Sequence, residues 1–224
     1  MIDYLLPIAA VLAGFLFVII AKPKEGKQLK LFLAFSGAFL LSLTVFNLLP
    51  DVYAHSAGKN TGIFIMLGIL LQIFLEFFSK GAEHGHVHHT GNNDTFPWML
   101  FLSLSIHSVL EGFPIHKHET LVYGIVVHKI PVAIVLTAFF LKSGIKASYI
   151  ATFMVLFALM TPLGTFLSTR IQGIAHYYAH ISALIIGIFL HISTIILFES
   201  SDGHKFNFTK LVVIVAGIAI AYIM

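Results

Sequence analysis

Long apolar stretches separated by short polar segments run through the whole chain. A helix needs about 20 apolar residues to cross the hydrocarbon core of a bilayer. Stretches of about that length occur eight times, near residues 2–21, 29–49, 61–79, 96–113, 120–141, 147–168, 178–199 and 206–224. This pattern predicts an all-α integral membrane protein with eight transmembrane helices. Because most connections are short, we expect one transmembrane domain over residues 1–224.

Three prolines fall within or at the end of these stretches. Pro50 is expected to end the second helix, and Pro131 and Pro162 to interrupt the fifth and sixth. Proline deletes one helical hydrogen bond and frees a carbonyl group, which is tolerated at membrane depth only against protein or a water-filled cavity. Interruptions beside polar residues therefore give a weak indication of a substrate path.

Composition supports the membrane assignment and narrows the chemistry. Hydrophobic residues make up 58% of the 224 residues and charged residues 10%, against about 25% charged in a soluble domain. There are no cysteines, so any metal must be held by nitrogen and oxygen ligands. Thirteen histidines against ten acidic residues is a high imidazole content. No basic patch interleaved with aromatic residues is present, so nucleic acid is not an expected partner.

Lys and Arg between the stretches predict the orientation of the chain. With the amino terminus outside, inner connections would carry nine basic residues and outer connections three. The inner nine are Lys22, Lys24, Lys27, Lys30, Lys80, Lys142, Lys146, Lys205 and Lys210, and the outer three are Lys59, Lys117 and Arg170. Cytoplasmic loops are enriched in Lys and Arg, so both termini are predicted to lie outside. Basic residues follow the first apolar stretch, which we interpret as a retained helix in a prokaryotic plasma (inner) membrane.

Ionisable residues within the fourth and fifth stretches mark a candidate metal site. A charge at the bilayer centre costs about 3 kcal/mol, so such residues are rare and usually functional. His107 and Glu111 are four residues apart and share one helix face, and His128 lies in the next stretch. Together they could bind a divalent metal. Alternatively, His107 and Glu111 form a structural hydrogen bond and His128 a polar contact between helices.

Further candidates lie towards the two ends of the helices. Asn47, Asp51 and His55 at the outer end of the second helix could form an entrance, or merely a polar helix end. Candidate exit residues near the inner side are Glu76, His191 and Glu199. A cytoplasmic loop at about 80–95 carries four histidines that could form a loose chelator, or a tolerant polar loop; they are His84, His86, His88 and His89.

Two motifs resemble signatures of the ZIP (Zrt/Irt-like protein) family of metal transporters. They are His-Ser-Val-Leu-Glu-Gly at 107–112 and His-Lys-Ile-Pro at 128–131. Weaker likenesses are Asn-Leu-Leu-Pro-Asp at 47–51, Thr-Pro-Leu-Gly at 161–164 and Gly-Ile-Phe-Leu-His at 187–191. The resemblance extends over the whole chain.

The resemblance implies a fold, a function and a ligand set. ZIP proteins move zinc, iron or other divalent cations into the cytoplasm through a site between helices four and five. Helices 1–3 and 6–8 would form an inverted repeat around helices 4–5. By matching position, His107 and Glu111 would be metal ligands, with Ser108 flanking them and His128 a neighbouring ligand on helix five.

Lys129 and Val132 depart from the common family pattern, which has acidic residues at these positions. Such acids help to hold a second, adjacent metal, so the second site is doubtful here. We hypothesise that the Lys129 ammonium occupies the space of the second cation and partly balances Glu111. Alternatively Lys129, which lies about 100° around the helix from His128, faces elsewhere.

The leading hypothesis is a divalent-cation transporter, not an enzyme, with no cofactor beyond the transported metal. Zinc is the expected cargo, with iron, manganese and cadmium as alternatives. Two other functions stay open: a membrane-embedded metal hydrolase that activates water, and a transport-impaired metal-sensing relative, which Lys129 and Val132 would explain. The expected partners are divalent metal ions and the lipid bilayer, and a homodimer is compatible with the sequence.

Overall fold

The computed structural model describes residues 1–23, 26–55, 58–79, 96–171, 173, 177–199 and 208–224, and only the backbone of Glu199. These residues are predominantly helical and contain no strand. In chain order the helices are α1 (Ile2–Ala21), α2 (Lys27–His55), α3 (Lys59–Ser79), α4 (Trp98–Gly112), α5 (Glu119–Lys142), α6 (Ala147–Arg170), α7 (Tyr178–Glu199) and α8 (Phe208–Ile223). Each predicted apolar stretch coincides with one of them, because the hydrophobic pattern is strong and the connections are short.

Six of these helices are long and apolar enough to cross a membrane, judged by length and composition. They are α1, α2, α3, α5, α6 and α7. The remaining two, α4 and α8, are apolar but only 15 and 16 residues long. The described residues therefore form a membrane-type helical bundle with six full-length helices.

The prediction that Pro50 ends the second helix is wrong. α2 continues through Pro50 to His55, and it contains a π-helical turn at Thr44–Leu48 that ends two residues before the proline. In this turn the Leu49 N–H donates to the Thr44 carbonyl, five residues back. The wider turn already interrupts the regular ladder, so the missing N–H of Pro50 removes little further bonding.

Pro131 and Pro162 do not interrupt their helices either. α5 runs unbroken through Pro131 and α6 through Pro162. Both prolines are buried, so neighbouring helices hold the backbone in place where one ladder hydrogen bond is missing. The only departure from α-helical winding within the helices described is the π turn of α2.

α5 lies between two apolar clusters. One cluster joins α2, α5 and α7 and includes Leu43, Ile125 and Phe189. The other joins α1, α4, α5 and α6 and includes Leu136 and Phe153. A helix packed on both sides in this way can bury polar side chains far from solvent, and α5 buries His128 and Lys129.

Glycines bring α4 and α6 into direct backbone contact. A Cβ atom at Gly112 of α4 would collide with the Thr161 carbonyl, and one at Gly164 of α6 would collide with the Val109 carbonyl. Small residues of this kind let membrane helices approach closely and pack by van der Waals contact. This contact fixes the position of α6 along the axis of α4, beside His107 and Glu111.

Candidate metal centre

The side chains of His107 and Glu111 on α4 and of His128 on α5 come together. Each offers one ligand-type atom, and these atoms all lie within 4.8 Å of one another. The His107 Nε2 atom lies 3.8 Å from Glu111 Oε2, within one helical turn. Two imidazoles and a carboxylate at this separation match the nitrogen and oxygen ligand types that zinc and similar divalent ions accept.

The three residues are buried. Glu111 is 0% exposed, His128 2% and His107 3%. Glu111 Oε1 has no hydrogen-bond partner among the described residues, which is costly for a buried carboxylate oxygen. A bound cation would satisfy it.

A cavity of about 10 Å³ adjoins the histidines, which is about the space that one water molecule needs. Its lining residues are Leu104, His107, His128, Lys129, Val132 and Phe157. This space suits a single ion or water. Val132, where the family pattern has an acid, contributes only apolar surface to it.

Lys129 faces Glu111 rather than another side of α5. Its Nζ atom lies 2.8 Å from Glu111 Oε2 and donates a hydrogen bond to Ser108 Oγ, also at 2.8 Å. Nζ also lies 4.8 Å from the centre of the Phe157 ring, a distance at which a cation and an aromatic face attract. The geometry agrees with the hypothesis that the ammonium balances Glu111, and it excludes the alternative orientation.

Hydroxyl groups of α6 extend this polar cluster. Ser108 Oγ lies 2.9 Å from Thr161 Oγ1, and both residues are fully buried. One turn further along, Thr165 Oγ1 donates to the Gly112 carbonyl at 2.8 Å. Sequence reasoning did not identify Thr161, Thr165 or Phe157 as neighbours of the site. The local signals were the Thr-Pro-Leu-Gly likeness at 161–164 and two threonines four residues apart in an apolar helix, on either side of Gly164.

The predicted entrance residues lie together with a histidine from the α4–α5 connection. Asp51 Oδ1 is 3.3 Å from His55 Nδ1, and Asp51 Oδ2 is 3.3 Å from His118 Nε2. Asn47 Nδ2 instead donates to Thr120 Oγ1 at 3.1 Å. Asp51 therefore ties the end of α2 to the segment that follows α4, and His118 is a member of this group that the sequence did not assign to it.

Two of the three predicted exit residues are in contact. His191 Nε2 of α7 lies 2.8 Å from Glu76 Oε2 of α3. Glu199 ends α7, and its side chain lies outside the described part of the chain. The predicted chelating histidines of the 80–95 loop, His84, His86, His88 and His89, also lie outside the described residues.

Comparison with known proteins settles the family. The model of the family described as "ZIP Zinc transporter" matches residues 79–224, more than half of the chain. The chain belongs to the ZIP family. The candidate metal residues of α4 and α5 all fall within the matched part of this ZIP protein, whereas Asn47, Asp51, His55 and Glu76 precede it. Family and apolar helices together identify an integral membrane protein.

Three proteins called zinc transporter ZIP1 are similar to this ZIP chain. The Danio rerio protein is 30% identical over 123 residues, which cover 50% of this chain and 41% of the relative. The Takifugu rubripes protein is 34% identical over 89 residues, or 37% of this chain and 30% of the relative. The Bos taurus protein is 24% identical over an alignment of 255 positions, which covers 89% of this chain and 79% of the relative. The chain thus matches less than half the length of the first two relatives. All three are vertebrate proteins, so the prokaryotic membrane stays a prediction.

Proposed function

We propose that this ZIP protein carries a divalent metal cation, zinc foremost, across a membrane towards the cytoplasm. His107, Glu111 and His128 bind the cation during transport. The observation that carries the proposal is a buried cluster of two imidazoles and a carboxylate whose ligand atoms lie within 4.8 Å of one another. Membership of a family described as a zinc transporter supports the choice of cargo.

The proposal includes the membrane arrangement predicted from the sequence. All eight helices cross the bilayer, with helices 1–3 and 6–8 as an inverted repeat and both termini outside. The many large apolar side chains on the exterior support a lipid-facing surface, for example Leu16, Phe77, Leu102 and Val215. Shorter α4 and α8 can serve as spans where the bilayer thins or polar flanking residues reach the interface.

The cation follows a path of polar groups in this proposal. It arrives from outside near Asp51, exchanges water for His107, Glu111 and His128, and leaves towards the Glu76–His191 pair. Glu199 and the histidine loop then accept it on the cytoplasmic side. Asp51 contacts two histidines, and Glu76 contacts a third. These contacts support binding sites with the same ligand types, imidazole and carboxylate, at both ends of the path.

The charges at the site suit a transporter that must release its cargo. Glu111 and Lys129 are in contact and neutralise each other before the cation arrives. A divalent cation bound by neutral histidines then leaves two uncompensated positive charges in a buried place, which weakens binding. We propose that the lysine thereby restricts the site to one cation. A metal hydrolase is less well supported, because the cavity holds about one water molecule and no substrate.

Zinc influx into liposomes tests the proposal. The purified protein is reconstituted around a trapped zinc-sensitive dye, and the initial rate after zinc addition is compared with that of Glu111→Ala. We expect influx by the unaltered protein and none above empty liposomes by Glu111→Ala. Glu119→Ala is the matched control, since Glu119 is an exposed carboxylate in the first turn of α5. Binding without influx in the unaltered protein would instead indicate a metal sensor.

A further inference from the structure

The Lys129 ammonium has two polar neighbours of different kinds. They are the carboxylate oxygen Glu111 Oε2 and the hydroxyl oxygen Ser108 Oγ, both at 2.8 Å from Nζ. His107 Nε2 also lies 3.8 Å from that same carboxylate oxygen. A cation held by His107 Nε2 and Glu111 Oε2 would therefore share Oε2 with the ammonium or displace the ammonium from it.

Ser108 cannot hold the ammonium well by itself. Its hydroxyl accepts a hydrogen bond from Lys129, which leaves its own proton for Thr161 Oγ1 at 2.9 Å. Without that partner, a serine hydroxyl in a helix turns back to a carbonyl of its own preceding turn. Thr161 thus keeps the Ser108 oxygen directed at the ammonium.

The position of Thr161 is fixed independently of Lys129. The Thr161 carbonyl is packed against Gly112, and Gly164, one turn away, is packed against Val109. The ring of Phe157, one turn before Thr161, faces the ammonium at 4.8 Å. The Thr161 hydroxyl and the Phe157 ring are therefore held by α6 at fixed positions beside Lys129.

We propose that Ser108, Thr161 and Phe157 form an ammonium site that retains Lys129 when the transported cation takes Glu111. Thr161 is a positioning residue in this arrangement: it acts on the cation through Ser108 and Lys129 and does not touch the cation. The proposal rests on the proposed function, because it assumes that a cation binds to Glu111. Loss of the Thr161 hydroxyl leaves the ammonium more firmly on Glu111, where it competes with the cation.

The test measures zinc affinity in detergent by competition with a fluorescent chelator. Thr161→Val keeps the shape of the side chain and removes the hydroxyl. We expect binding about two- to tenfold weaker, the equivalent of one buried hydrogen bond. Thr161→Ser should bind as the unaltered protein does, because it keeps the hydroxyl. Ser108→Ala, which removes the oxygen beside Nζ, should weaken binding in the same way and serves if Thr161→Val does not fold.

Thr165→Val is the matched control. Thr165 lies one turn from Thr161 and also bonds α4, but to the Gly112 carbonyl. Its substitution should leave zinc affinity within about twofold. A merely structural role of Thr161 would give the two variants similar effects, and similar effects would overturn the proposal.

The decisive comparison repeats Thr161→Val in a Lys129→Met background. If Thr161 acts through the ammonium, its substitution changes affinity by less than about twofold when the ammonium is absent. An unchanged loss in that background would overturn the proposal. Failure of this proposal can be distinguished from failure of the proposed function. The absence of zinc influx in the unaltered protein would refute transport. Equal zinc affinities of Thr161→Val and the unaltered protein would refute only the ammonium site.

Discussion

Replacement of Lys129 by methionine should strengthen zinc binding, because it removes a positive charge beside the cation and keeps a long apolar side chain. A zinc ion bound to Glu111 Oε2 would lie about 2.1 Å from that oxygen, and Lys129 Nζ lies 2.8 Å from it. Ion and ammonium would then be at most about 5 Å apart. At an effective dielectric constant of about 20, the repulsion between charges of two and one at that distance is about 7 kcal/mol.

Several effects reduce this figure in the protein. Ser108 accepts a hydrogen bond from the ammonium at 2.8 Å, and the adjoining cavity has room for about one water molecule that would screen the charges. We therefore expect a gain of at least about 1.4 kcal/mol, which corresponds to tenfold tighter binding. Tighter binding should also slow release, so that the maximal influx rate falls.

Chelator competition in detergent measures this affinity. Lys142→Met is the matched control, since Lys142 is an exposed lysine at the C-terminal end of the same helix, and its substitution should leave the affinity unchanged. Equal or weaker zinc binding by Lys129→Met would refute the reasoning that the ammonium opposes the cation.

Two further predictions concern the packing of α4 against α6 and the proposed entrance. Gly164→Ala should destabilise the protein by about 1–3 kcal/mol, because the added methyl group would overpack against the Val109 carbonyl. Gly62→Ala is the control and should not destabilise it, since a Cβ atom there meets nothing within 4 Å. Thermal unfolding in detergent compares the two variants, and equal midpoints would contradict the close contact between α4 and α6. Asp51→Asn should raise the zinc concentration for half-maximal influx several-fold while the maximal rate changes little, because Asp51 belongs to the proposed entrance and is not one of the proposed ligands. An unchanged half-maximal concentration would exclude Asp51 from the entrance.

The helices could be predicted from the sequence because apolar stretches of membrane length separate polar connections. The prediction that Pro50 ends the second helix was wrong because the π turn at Thr44–Leu48 accommodates the proline. No residue type in that segment indicates a π turn. Pro131 and Pro162 show the same limit, since packing by other helices decides whether a proline interrupts a helix.

The centre of the site could be predicted because His107 and Glu111 are four residues apart on one helix. The orientation of Lys129 could not be predicted, since a residue next to His128 can face Glu111 or turn away, and the arrangement of the helices in space decides between the two. Thr161 and Ser108 are 53 positions apart in the chain, so nothing local in the sequence pairs them. His118 reaches Asp51 for the same kind of reason, through the path of the connection after α4.

X-ray absorption spectroscopy of the zinc-loaded protein tests directly whether His107, Glu111 and His128 bind the cation, because it counts the imidazoles around the zinc. We predict one zinc per chain, bound by nitrogen and oxygen at about 2.0–2.2 Å, with two imidazoles in the unaltered protein and one in His128→Ala. A spectrum that keeps two imidazoles after the His128 substitution would show that the cation is bound elsewhere.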